Sequence, residues 1–156
     1  MREINLTQEK VALVDDEDYQ YLNSFKWYAM ESRKTFYAVR RIRVNGKQNT
    51  VWMHGEILNG KGIDHIDHDG LNNQKSNLRF CTPSQNLMNT RKRENTSSVY
   101  KGVYFYKQSN KWRAQIMING KYARLGCFAS EVDAARAYNT KAIELFCEFA
   151  NLNIVD

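Results

Sequence analysis

The alternation of apolar and polar positions is clearest in the last third of the chain. Segments 99–106, 111–118 and 121–127 read as strands, the last pair joined by Asn119-Gly120, a favoured hairpin dipeptide. In the second strand Trp112, Ala114, Ile116 and Ile118 share one face, and Arg113, Gln115 and Met117 share the other. The third places Ala123, Leu125 and Cys127 on the apolar side, against Tyr122 and Arg124. Ser130 then has the character of an N-cap. After it Ala135, Tyr138, Ala142, Leu145 and Phe149 recur at steps of three and four, the period of a helix with one buried stripe. A helix covering a three-stranded antiparallel sheet is therefore predicted, with Tyr104, Tyr106, Arg113, Gln115, Tyr122 and Arg124 facing outward.

The first fifty residues predict a small α+β lobe. A strand at 10–14 leads into Asp15-Asp16-Glu17-Asp18, which supply caps and first-turn acids for a short helix through Tyr19, Leu22 and Phe25. Paired strands are expected at 27–30 and 36–40, and Asn45-Gly46 marks a hairpin before a further strand at 50–53. Such a lobe is too small to bury much alone and should pack on the neighbouring segment from residue 51. Residues 89–98 are polar, charged and without hydrophobic period, as in a linker. Thr82 and Pro83 signpost a helix start just before it.

Charge sharpens this picture. The chain of 156 residues carries a formal charge of +6, which suits a polyanionic partner. Nine basic residues lie between Arg91 and Arg124 against the single acid Glu94, whereas the segment from Glu131 onward is acidic. One basic surface is implied, not a uniformly sticky protein. Arg40, Arg41, Arg43 and Lys47 either touch phosphate or form a solvated strand face. Cys81, Cys127 and Cys147 are far apart, and with no C-x-x-C pair no structural zinc is expected; each is read as a reduced core thiol. No segment reads as a signal peptide or membrane span, so a cytoplasmic protein without membrane contact is expected.

The candidate chemistry is concentrated in Asp64-His65-Ile66-Asp67-His68-Asp69-Gly70-Leu71-Asn72-Asn73, then in Asn77-Leu78-Arg79 and Gln85-Asn86. Asp67, Asp69, Asn72 and Asn73 are turn formers by type. His65, Asn77 and Asn86, with Asp64, fall on the spacing of the HNH nuclease signature, and the segment resembles that family in the variant ending in asparagine. The resemblance implies a ββα-metal motif: a strand carrying Asp64-His65, a polar loop, a strand at 78–81 and a helix bringing in Asn86. It implies His65 as general base, Asn77 as a catalytic-site residue orienting the loop, and Asp64 with Asn86 holding one divalent cation. Oxygen ligands favour Mg²⁺, with Mn²⁺ as substitute. Adjacent strand residues face opposite sides, so Asp64 and His65 serve one site only if the strand ends or distorts there. His54 stands where relatives carry a His-Arg pair, with Gly55 in place of the arginine, and His68 reads as a loop residue.

The C-terminal module resembles the plant ethylene-response-factor (APETALA-type) DNA-binding domain. The resemblance is carried by Tyr100-Lys101-Gly102-Val103, Lys111-Trp112-Arg113-Ala114-Gln115-Ile116, Leu125-Gly126-Cys127-Phe128 and Ala134-Ala135-Arg136-Ala137-Tyr138. It implies a sheet laid in the major groove of double-stranded DNA. Arg113 and Arg124 become base readers, with Tyr104, Gln115 and Tyr122 beside them. Lys101, Lys107, Lys111 and Lys121 become phosphate contacts. By its own charge, the Arg91-Lys92-Arg93 run of the linker either contacts DNA or is simply solvated. Tyr104 and Arg124 depart from the usual arginine and tryptophan, so the recognised sequence need not be the plant one. The expected organisation is α+β: an N-terminal lobe (1–50), the nuclease motif (51–90), a basic linker (91–98) and the DNA-binding domain (99–153). As a whole the chain looks like a phage or bacterial homing-type endonuclease, for which a monomer is favoured over a dimer without the sequence deciding between them. The rival reading is a non-catalytic DNA-binding regulator with a relic nuclease fold.

Overall fold

The computed structural model describes residues 1–32 and 35–155. The chain is mixed α and β, with small antiparallel sheets, and divides into two compact units, Met1–Thr82 and Pro83–Asp156.

In the first unit β1 (Arg2–Asn5) pairs with β2 (Val11–Val14), and α1 (Asp16–Leu22) comes after them. Sequence pattern missed β1, a short polar strand whose one buried side chain is Ile4. The helix stops before Phe25 because its last carbonyls are taken: Ser24 Oγ donates to that of Tyr21 and Trp27 Nε1 to that of Leu22, at 2.6 and 2.8 Å. A meander of β3 (Tyr28–Ser32), β4 (Thr35–Val44) and β5 (Lys47–Trp52) comes next. Its second turn places Asn45 and Gly46 at φ 49° and 75°, the paired left-handed conformations of a type I′ turn. After α2 (Met53–Ile57), β6 (Ile63–His65) pairs antiparallel with β7 (Leu78–Phe80).

No break separates the lobe from the motif at residue 50. One apolar cluster contains Ile4, Ala12, Val14, Leu22, Trp27 and Ala38 from the lobe together with Met53, and Leu71 from the loop packs on it. The two parts bury one core, as the small size of each requires.

The second unit holds α3 (Pro83–Met88) and a sheet of β8 (Val103–Tyr106), β9 (Lys111–Ile118) and β10 (Lys121–Phe128), covered by α4 (Glu131–Phe146). Ser130 Oγ caps α4 by accepting the Val132 N–H at 3.2 Å. Ala114, Ile116, Ala135, Tyr138 and Ala142 are buried between sheet and helix. α4 ends at Phe146, because Cys147 turns the backbone at φ 47°; the buried Phe149 sits on a separate single turn.

Two cysteine expectations fail. Cys127 and Cys147 are exposed, and only Cys81 is half-buried. For Cys127 the cause is a β-bulge between Arg124 and Gly126, where Gly126 adopts φ 145°. The extra residue inverts the alternation: Cys127 lies opposite Arg113 on the outer face, and Phe128 opposite Trp112. Segment 91–98 has no regular structure, but Asn89 and Ser98 at its edges are buried.

Candidate functional site

β6 is three residues long and ends at His65, so Asp64 and His65 stand where the strand gives way to the loop. Both are buried at 6% exposure, far below what a hairpin tip of polar residues ordinarily shows. Asp64 lies directly across the ladder from Arg79. The Arg79 Nε and one terminal nitrogen both donate to Asp64 Oδ2, at 3.1 and 2.8 Å. Arg79 was visible in the sequence as part of Asn77-Leu78-Arg79, yet only the register reveals its pairing.

The loop from 66 to 77 is a network of short polar bonds. Asn77 is buried; its Oδ1 accepts the Asp67 N–H at 3.0 Å, and its Nδ2 donates to Asp67 Oδ1 and to the Asn72 carbonyl at 2.9 and 2.8 Å. Asn72 Nδ2 donates to Asp67 Oδ2 at 2.7 Å. These donors, with the Asp69 N–H, hold the Asp67 carboxyl below its ordinary range against a burial effect that raises it. His68 occupies the loop at φ 65°.

His65 sits among rings. Those of Tyr37 and His54 meet it edge-on, with centroids 5.6 and 5.0 Å away, and Trp52 lies 5.6 Å from His54. Burial lowers the His65 pKa from its usual value, against the Asn73 contact and the carboxylates of Asp67, Asp64 and Asp69, which raise it. Burial, with His65 beside it, takes His54 down to about 4. Burial thus favours the uncharged form of both imidazoles, the form a general base needs. Asn73 was missed: it reads as a turn former, but it is fully buried, and its Oδ1 lies 3.4 Å from His65 Nε2.

Asn86 is an exposed residue of α3. Among the described residues no group of three or more His, Cys, Asp or Glu side chains could hold a metal ion. The Asp64 carboxylate belongs to the first unit and Asn86 to the second, and each side chain offers oxygen, the donor type that a hard cation such as Mg²⁺ takes.

In the second unit Arg113 lies between the Tyr104 and Tyr106 side chains of β8. Its guanidinium carbon lies 3.5 Å from the Tyr106 ring centroid, and one terminal nitrogen donates to Tyr104 Oη at 3.4 Å. Tyr122 and Arg124 are exposed on β10, Gln115 is half-buried, and Lys107, Lys111 and Lys121 are exposed. Arg91 and Arg93 are exposed and Lys92 is half-buried.

Lys101 departs from its expected place on the phosphate-facing surface. Its Nζ donates to the carbonyls of Met88 and Thr90 at 2.8 and 2.7 Å, and burial brings its pKa down to about 8. Asn151 Nδ2 bonds the Asn89 and Thr90 carbonyls, and Met88 packs on Ile116, Tyr138, Ala142 and Phe146. Residues 88–90 are thus fixed to the C-terminal module, so the polar stretch is anchored where its composition suggested slack. No helix among the described residues is long and apolar enough to cross a membrane.

Known proteins share both parts of this chain. Residues 46–88 match the family described as HNH endonuclease. An uncharacterized HNH endonuclease of Acanthamoeba polyphaga mimivirus is 35% identical over 146 residues, 93% of this chain and 75% of that protein. Protein 3.8 of Escherichia phage T7 is 33% identical over 93 residues, 58% of this chain and 73% of that protein. An AP2-like ethylene-responsive transcription factor of Arabidopsis thaliana is 36% identical over 74 residues, 47% of this chain but 15% of that protein. No solved structure matches.

Proposed function

Because this chain belongs to the HNH endonuclease family, we propose that it is a metal-dependent DNA endonuclease whose cleavage site is chosen by its C-terminal sheet. The observation that carries this reading is the buried imidazole of His65 at the end of β6, beside the buried Asp64. His65 takes a proton from the attacking water. The oxygen so activated forms a bond to phosphorus, and the bond to the 3′ oxygen breaks. Asp64, held in place by Arg79, and Asn86, at the family spacing, are the residues that would hold Mg²⁺, or Mn²⁺ in its place. When bound, the cation supplies charge relief at the phosphoryl and leaving oxygens. Asn77 keeps the loop closed, which fixes where His65 points.

Arg113 and Arg124 read base edges, with Tyr104, Gln115 and Tyr122 beside them, while Lys107, Lys111, Lys121 and Arg91 to Arg93 contact phosphate. The stack of Arg113 on Tyr106 favours this, since a guanidinium already ordered loses less freedom on bonding a guanine. Similarity to viral proteins fits a homing-type enzyme acting inside a phage-infected or bacterial cell. The test is incubation of purified protein with DNA from its own genomic neighbourhood, with Mg²⁺ or with EDTA. Cleavage confined to the Mg²⁺ reaction supports the reading. Specific binding without cleavage would leave a DNA-binding regulator.

A further inference from the structure

The least exposed polar side chain of the first unit belongs to Asn73, at 0% exposure. A fully buried amide must have its donors and acceptor satisfied, because each group left unmade keeps its full desolvation cost. Its Nδ2 donates to the Leu71 carbonyl at 3.1 Å and, more weakly, to the Gly70 carbonyl at 3.5 Å. Two carbonyls on the NH₂ end fix which way the amide points, and Oδ1 is thereby turned to His65 Nε2 at 3.4 Å. An acceptor facing one ring nitrogen of a neutral histidine places the hydrogen there and the lone pair on the other.

Asn73 is in turn held by the N-terminal lobe. Its N–H donates to the Leu13 carbonyl at 2.8 Å, and the Leu13 N–H donates to the Leu71 carbonyl at 2.8 Å, so β2 carries a short parallel bridge to the loop. Two further ties flank it. The Asp15 carboxylate accepts the Lys75 N–H at 2.8 Å and Gln74 Nε2 at 3.2 Å, and Thr35 Oγ1 accepts the Gly70 N–H at 3.0 Å. A side chain at Gly70 would come within 2.4 Å of the Phe36 carbonyl and 2.6 Å of the Tyr37 ring, the same ring that meets His65. The loop is therefore seated on β2 and β4, outside the segment that matches the nuclease family.

We propose that Asn73, seated on β2, is a positioning residue that holds His65 as its Nε2–H tautomer, leaving Nδ1 to take the proton from water. The N-terminal lobe then serves the reaction by fixing which nitrogen is basic. This rests on the assignment of His65 as general base, but its first readout does not depend on cleavage.

Full-length protein labelled with ¹⁵N in histidine is examined in EDTA at pH 8, with the His65 ring signals identified by their loss in His65→Gln. Wild type should show the hydrogen on Nε2 and not on Nδ1. Asn73→Ala and Asn73→Ser, which cannot reach the ring, should shift His65 toward a mixture of tautomers. In these variants kcat should fall about 10- to 100-fold with KM for DNA within twofold, the scale expected for a misplaced catalytic group. Asn73→Asp keeps an acceptor oxygen and should restore the Nε2–H signature and part of the rate. If Asn73→Ala fails to fold, the wild-type spectrum and the contrast of Ser with Asp decide. A wild-type His65 protonated at Nδ1, or an unchanged tautomer in Asn73→Ala and Asn73→Ser, overturns the proposal. Should His65→Ala cut normally, the general-base reading falls while the tautomer result stands.

Discussion

The imidazoles of His54 and His65 meet at right angles, 89° between planes with centroids 5.0 Å apart, inside a wall formed by Tyr37 and Trp52. Burial disfavours charge on either ring, since protonating either brings a charge into this wall. Stability must therefore depend on pH. His54 has a folded pKa of about 4 against an ordinary 6.5, so between those values the unfolded chain binds more protons. Stability from this site is fully present above about pH 6.5 and is lost as pH falls toward 4, by roughly 3 kcal/mol at most from His54. His65, also lowered, acts in the same direction. Urea unfolding at pH 7 and pH 5 should show the loss, and His54→Gln should flatten it. An identical pH dependence in His54→Gln would place the acid sensitivity elsewhere.

The anchoring of residues 88–90 predicts where the C-terminal module can be cut free. A fragment from Pro83 to the end should fold cooperatively and bind DNA without cutting it. One beginning at Ser97 lacks Met88 and the carbonyls that bond Lys101 and Asn151. It should be less stable by roughly 2–4 kcal/mol, the scale of one buried apolar side chain plus polar groups left unmade. Denaturant titration of both fragments checks this; equal midpoints and slopes would contradict it.

Much of this module was legible because its signals are local. Asn119-Gly120 and Asn45-Gly46 demand left-handed pairs, Ser130 offers a cap, and alternation on β9 needs no knowledge of partners. What escaped depends on register or on distant chain. Cys127 changes face through a single bulge at Leu125, which leaves the apolar pattern intact. Lys101 looks like any surface lysine until carbonyls thirteen and eleven residues earlier fold onto it. Asn73 is indistinguishable by type from its turn-forming neighbours, and its burial comes from contact with β2.

Arg113 should read sequence and Lys111 should not. Arg113→Ala should cost roughly 1–3 kcal/mol on the preferred site and relax discrimination at one base pair. Lys111→Ala should weaken all duplexes alike and reduce the salt slope by about one unit. Titrations on matched and scrambled duplexes at several salt concentrations separate the two. Equal losses on both duplexes for Arg113→Ala would mean that this face grips the backbone.

Asn86→Ala should raise the Mg²⁺ concentration needed for half-maximal cleavage, whereas Asn86→His should retain activity and accept Ni²⁺ or Zn²⁺ more readily. Cleavage measured across a metal titration reads both. A metal dependence unchanged in Asn86→Ala would remove this residue from the site.

The most direct measurement compares wild type with His65→Ala in single-turnover cleavage at saturating enzyme with Mg²⁺, alongside DNA affinity for each. The rate should fall by about 10²- to 10⁴-fold while affinity stays within a few-fold, because a general base acts only in the chemical step. A His65→Ala protein that cuts at close to the wild-type rate would contradict the assignment of the buried imidazole as the base.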